Sequence, residues 1–520
     1  MKQSLWIWLA FFLSLGLIML TSAQGSDVAL DPELPAILAE KTAKIPADKR
    51  PRVIYLELGP LGLAAAGRSS VLCDVILEAG AVLPDSLGNG GLVPLAKGEW
   101  PKLNPEGIVI RSRDEKELRK LLAGPNFRNA PAVRNKQIWA FPDGLVDQAK
   151  DYQTYFAAWL AGTMYPREFG RTENLVRPQS QLSSKRLALP LAYVERAEII
   201  DSRVLDFVHR SLVIRFKTPQ EVISTSSGSL SGIAVIGNTY SPAPSWPLYH
   251  LLNYEGYLKL IYEVLKLDRS RTALLGTGAD LNNLVEVTKK YQDLAVTVLI
   301  TAGVEGNAIR AGRDEGAYMD PGTINVIVLT NRHLSPAAMA NTIINVTEAK
   351  TAALWEMDIR SVQTGLLNPA TGTGTDSVLV VQGQGREIAY SGGHTKIGQL
   401  IAEAVREGVT EAIFRQNGKT RQRSVSARLA ERGLYYPELE DLFNEPRYRG
   451  LVESAFSLSD SWRFGQVTDL SAFESLALAA AGEIAGQPVT KLDPLAGSQD
   501  IPKPLALAVS ALITGQRLKK

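Results

Sequence analysis

Between residues 191 and 420, short apolar runs alternate with helical patterns and polar, glycine-bearing clusters, and no other feature limits the fold as much. The strand-like runs are SLVIRF (211–216), GIAVIG (232–237), AVTVLITAG (295–303), INVIVLT (324–330) and SVLVVQG (377–383). Runs this short and rich in β-branched residues suit buried strands. Helical spacing predicts helices over 257–267, 335–357 and 396–409. The block therefore reads as an α/β or α+β domain of 191–420, with its strand order left open.

A smaller unit is expected before it, over 31–165. Asp31-Pro32 opens a helix through 50, followed by strand 52–58, helix 69–80, strand 107–112, helix 114–124, strand 137–141 and helix 151–162. This order predicts a three-layer α/β lobe with a mainly parallel sheet. The polar stretch from 163 to 190 reads as a linker, and 421–520 as a helix-rich extension.

The first 23 residues have the pattern of a secretory signal. Lys2 precedes an apolar run from Leu5 to Leu20, and Thr21-Ser22-Ala23 supplies small residues at the cleavage position. The expectation is export to the periplasm with cleavage after Ala23; the alternative is an uncleaved N-terminal anchor. Lys and Arg (56) nearly balance Asp and Glu (54), and no basic cluster stands out, which argues against a nucleic-acid partner. A single cysteine, Cys73, excludes an internal disulfide; its helical, apolar setting makes it a buried small hydrophobe. One cysteine and four scattered histidines argue against a zinc site, so no metal is expected.

In the smaller lobe, GEWPKLNPEGIVI (98–110) leads into a strand, and VRNKQIWAFPDGLVD surrounds the next one. Residues 51–162 resemble the C-terminal lobe of periplasmic corrinoid-binding proteins, the substrate-binding components of vitamin B12 importers. The resemblance implies that Trp100 lies against a corrin ring and that Glu106 docks the lobe onto an ABC-type importer. By residue type alone, Trp100 is either a core tryptophan or an exposed stacking platform.

Chemistry concentrates in the clusters LLGTGADLNN (274–283), TAGVEGNAIRAG (301–312), PGTINVIVL (321–329) with VTEAKTAAL (346–354), and ATGTGTDSVLVVQGQGREIAYSGGHTKIGQLI (370–401). Glycine turns let backbone N–H groups approach an anion or a developing oxyanion closely. No cluster matches a P-loop or GxGxxG, so a nucleotide cradle is not supported. Amide hydrolysis instead needs an activated nucleophile, a proton shuttle and oxyanion donors, and the last cluster carries all three kinds of group.

His394, in a Ser-Gly-Gly-His-Thr loop before a helix, is the expected general base. Asp376 could orient it if the two loops meet. Glu348 is an alternative base, reaching inward while Lys350, two residues on and off that face, stays solvated. Thr371, Thr373 and Thr375 offer hydroxyls. His209, His250 and His333 lie outside the clusters and receive no role.

Taken together and in order, these clusters resemble the adenosylcobinamide amidohydrolase family of corrinoid salvage, over about 200–415. The resemblance implies hydrolysis of the amide joining the aminopropanol arm to the corrin ring, giving adenosylcobyric acid and 1-amino-2-propanol. No cofactor is implied, since the corrinoid is the substrate. Thr301, Gly303, Asn307, Asn325 and the 371–375 loop become the residues expected to hold it, with an activated water preferred to a threonine nucleophile. The alternatives are a non-catalytic corrinoid-binding or delivery protein and a broader amidase acting on other exported small amides.

Overall fold

The computed structural model describes residues 31–59, 62–95, 100–316, 323–495 and 501–519; the signal-like N-terminus lies outside them. Among the described residues no helix is long and apolar enough to cross a membrane. The chain forms two compact units. One holds Asp27–Glu221 with Leu230–Asn282, and the other Val222–Ser229 with Asn283–Lys520. The division falls within 191–420, so residues 191–221 and 230–282 group with the smaller N-terminal lobe.

In the first unit, a five-stranded sheet has the order Leu92–Pro94, Gly62–Ala66, Val53–Gly59, Gly107–Arg111, Ile138–Phe141. The last three strands are parallel, as expected, but the first two add antiparallel, so the sheet is mixed rather than mainly parallel. Those two escape a sequence reading because GLAAA and LVP carry little of the β-branched signature. Cys73 is buried in helix Val71–Glu78, and burial pushes its thiol up to about 11, the behaviour of a packing residue.

A second sheet of this unit runs Ser180–Leu187, Val194–Val204, Phe207–Ser224, Gly228–Tyr240, Thr272–Thr277. Its first strand replaces part of the expected linker; it is mostly exposed, so no apolar alternation marks it. Buried ion pairs join the lobe to these strands. Lys41 meets Asp206 at 2.9 Å, and Arg203 meets Asp31 at 2.6 Å. Asp280, from the GTGADLNN cluster, accepts from Arg210 at 2.6 Å and from the Asn282 backbone N–H. That cluster is a structural node.

His209 is fully buried, with Nδ1 3.0 Å from the Phe207 carbonyl oxygen and Nε2 2.6 Å from the Tyr257 hydroxyl. Burial, opposed by the Phe207 bond, lowers its pKa from 6.5 to about 4. A depressed folded-state value means that the unfolded chain binds the proton first as pH falls. The stability from a neutral His209 is therefore complete above pH 6.5 and lost towards pH 4, about 3 kcal/mol in all. Urea unfolding of the wild type at several pH values should show this loss. His209→Gln, which keeps a polar partner for Tyr257, should flatten it.

In the second unit, residues 222–224 pair with Ser377–Val381, followed in the sheet by Ile324–Thr330, Leu294–Ala302 and Val285–Tyr291. Ser377–Val381 and Ile324–Thr330 are parallel, and the other pairs are antiparallel. Helices Pro336–Glu356 and Lys396–Asn417 share a core with this sheet, with Val346, Ala353, Ile401 and Val405 packed among Val298, Ile300 and Val326. Ser335 and Thr395 cap the two helices, accepting from the Ala338 and Gly398 N–H groups. The extension is helical as expected, with Pro446–Arg463, Ser471–Ala485 and Lys503–Lys519 as its main helices.

Candidate active site

Three strands of the second unit bring polar residues to one end of the sheet. Antiparallel pairing sets Thr301 opposite Asn325, and parallel pairing sets Asn325 beside Ser377. Thr301 and Asn325 are buried. Gly303, just past the strand end, is buried and donates its N–H to the Thr323 carbonyl oxygen. The Thr323 hydroxyl lies 2.7 Å from the Thr375 carbonyl oxygen and 3.0 Å from Asn325 Oδ1.

The 371–376 loop folds around the carboxylate of Asp376. Oδ1 accepts from the Ile324 N–H (3.0 Å) and the Thr373 hydroxyl (2.5 Å). Oδ2 accepts from the Thr373 N–H (3.0 Å) and from the ammonium of Lys350. A Cβ at Gly372 would crowd Asp376 Oδ2 and stand 2.9 Å from Lys350 Nζ, so the ends of both side chains would have to shift. Buried Asn307 grips the loop tip. It accepts from the Gly374 N–H through its side-chain oxygen, and its Nδ2 lies 3.4 Å from the exposed Thr375 hydroxyl. Thr371 accepts from the Ala311 N–H, while its carbonyl oxygen accepts from Thr351.

Two expectations change. Asp376 does not orient His394, because its bonds run to Ile324, Thr373 and Lys350. Glu348 and Lys350 exchange roles: Glu348 is exposed, whereas Lys350 is only 9% exposed and reaches the loop. The signal for Lys350 was available. Val346, Ala349 and Ala353 are the buried stripe of helix Pro336–Glu356, and 350 falls on it at i+4 from 346.

His394 stands exposed in the loop before helix Lys396–Asn417, its ring 5.6 Å from that of Tyr390. The loop is fixed from below. Asn345 donates to the Ser391 carbonyl oxygen, and the Ser391 hydroxyl meets Thr342 at 3.0 Å. Asn345 and Lys350 thus sit on one helix, about 7.5 Å apart along its axis, each holding one of the two site loops. The C-terminal end of that helix is anchored by Asp358. Burial raises its carboxyl, but Arg432, Arg360 and Arg428 outweigh burial and hold it below its usual value.

In the first unit, Trp100 is 4% exposed and packs edge-on against Phe127 at 5.0 Å, so the core takes the indole implied to face a corrin. Glu106 is half-exposed and engaged by Arg52, through its backbone N–H (2.8 Å) and its guanidinium (3.1 Å). The tryptophan sharing a groove with Glu106 is Trp139. Among the described residues no three His, Cys, Asp or Glu side chains gather as metal ligands.

Known proteins resemble two stretches of the chain. The family model for adenosylcobinamide amidohydrolase matches residues 191–421. An uncharacterized protein of Methanocaldococcus jannaschii is 38% identical over 226 residues, covering 40% of this chain and 87% of that protein. An adenosylcobinamide amidohydrolase of Methanosarcina mazei is 32% identical over 166 residues, covering 30% of this chain and 74% of that protein. Among solved structures, a periplasmic solute binding protein of Veillonella parvula aligns at 19% identity and TM-score 0.19, over 25% of this chain and 40% of its own. A periplasmic heme-binding protein of Roseiflexus aligns at 21% identity and TM-score 0.21, over 25% of this chain and 52% of its own. The two aligned stretches thus span about half of each solved chain or less. With 32% identity to the Methanosarcina mazei protein over 74% of its length, and the family model matched over 191–421, the chain belongs to the adenosylcobinamide amidohydrolase family, hydrolases of an amide bond.

Proposed function

We propose that this protein is exported and hydrolyses adenosylcobinamide to adenosylcobyric acid and 1-amino-2-propanol. The observation that carries the reading is convergence. Clusters separated by up to 67 residues meet through Asn307 with Gly374, Thr323 with Thr375 and Lys350 with Asp376, while Asn345 of the same helix holds the 391–395 loop through Ser391. A chain that needed these residues only for turns would have no reason to gather them at one strand end.

In this reading the exposed tip, Thr375 with Asn307 behind it, receives the scissile amide. His394 lies in the other loop, held by Asn345 further along the helix from Lys350. The substrate must therefore reach from the 371–376 loop to the 391–395 loop for His394 to take a proton from the attacking water and deliver it to the leaving amine. The water oxygen bonds to the carbonyl carbon, the C–N bond breaks, and the acid and the amine leave. Export is supported by the N-terminal pattern of Lys2, Leu5–Leu20 and Ala23. An importer partner would have to meet Glu106 in its ion pair with Arg52.

The test is incubation of the purified protein with adenosylcobinamide and mass spectrometry for loss of the aminopropanol group. Product is expected, with His394→Ala lowering turnover at least about 100-fold and leaving corrinoid binding nearly intact. A corrin absorption change on binding, with no product at enzyme excess, would replace hydrolysis by a binding or delivery role.

A further inference from the structure

We infer that Lys350 is a positioning residue of the amidohydrolase site, acting through Asp376 to set the 371–376 loop. The inference rests on the functional reading above for its kinetic half and on geometry for the rest. Lys350 enters from helix Pro336–Glu356 beneath the loop, almost wholly buried, and its ammonium meets Asp376 Oδ2. The same carboxylate holds the backbone N–H of Ile324, the first residue of a central strand, and both the N–H and hydroxyl of Thr373. One charged contact therefore ties a helix, a strand end and the loop that presents Thr375.

Stability alone is a poor account of such a pair. Two charges lose hydration on burial, and an apolar pair of similar volume commonly stabilises a fold as well or better. Glycine at 372 leaves the pair undisturbed, since a Cβ there would displace the ends of both side chains. What the pair supplies is direction: Asp376 cannot rotate without breaking bonds to three elements. The loop tip beyond it, gripped by Asn307, then keeps one geometry towards the substrate amide. Displacement of a reacting group by about 1 Å costs about 100-fold in rate, so a small loosening suffices to matter.

Lys350→Met keeps an unbranched apolar stem one atom shorter and leaves Asp376 three of its four donors, so the unit should remain folded. Two measurements test the inference. First, backbone hydrogen exchange at Ile324 and Thr373 should quicken at least about tenfold in Lys350→Met while the exchange of strand Leu294–Ala302 is unchanged. This readout does not require turnover, so it stands even if adenosylcobinamide proves not to be the substrate.

Second, if the wild type turns over adenosylcobinamide, Lys350→Met should lower kcat about 100-fold with KM within about threefold. The same substitution should then add nothing on top of Asp376→Asn, because it acts through that carboxylate. Unchanged exchange at both amides would overturn the positioning role. Fully additive losses in the double variant would show that Lys350 acts on the substrate directly and would overturn the route through Asp376.

Discussion

Asp376→Ala is expected to cost the second unit about 3–5 kcal/mol of stability, the range for removing one partner of a buried ion pair. The loss is asymmetric. Without the carboxylate, the nearly buried Lys350 ammonium has no counter-charge, and the N–H groups of Ile324 and Thr373 lose their acceptor. Without Lys350, by contrast, the carboxylate keeps three donors. Denaturant unfolding should therefore rank Asp376→Ala well below Lys350→Met. Equal stability of the two would mean that solvent reaches the pair and that its burial counts for little.

Gly398→Ala should lower turnover about 100-fold although it lies on a helix and changes one methyl group. Alanine ordinarily favours a helix over glycine by about 1 kcal/mol. Here a Cβ would overlap the Gly392 carbonyl oxygen and stand 2.6 Å from that of Ser391. Both obstacles are backbone, so no side chain can swing aside. The 391–395 loop must lift, and His394 moves with it, at an overpacking cost of about 1–3 kcal/mol. Steady-state kinetics on adenosylcobinamide would check this, with Gly418→Ala, at the far end of the same helix, as the comparison for a glycine remote from the loop.

Much of this was legible in the sequence, for a physical reason. INVIVLT and SVLVV are strands buried on both faces, so they appear as unbroken apolar runs. Thr373 and Asp376 stand out as a hydroxyl and an acid among glycines near a strand start, whereas Asn307 is marked only by the family resemblance. The rest was hidden where burial and composition part company. Strand Ser180–Leu187 is mostly exposed and reads as a linker. Trp100 carries no mark that separates a core indole from a ligand platform. Lys350 escapes a sequence reading because its charge points to solvent, while its helical position points to the interior. The pairing of Asp376 is a tertiary fact: no spacing in the sequence says whether an acid at 376 faces a histidine at 394 or a lysine at 350.

Helix Pro336–Glu356 serves as a ruler. Each of the two loops is clipped to the same rod, one at Asn345 and the other at Lys350. Their separation is therefore metered by helical rise and rotation. Between Val381 and Ser391 the chain is pinned separately, through Glu387–Ile388 paired with His333–Leu334. Between 345 and 350 a single inserted residue would advance everything beyond it by about 1.5 Å and turn it by about a quarter of a circle, taking the lysine off the inward stripe.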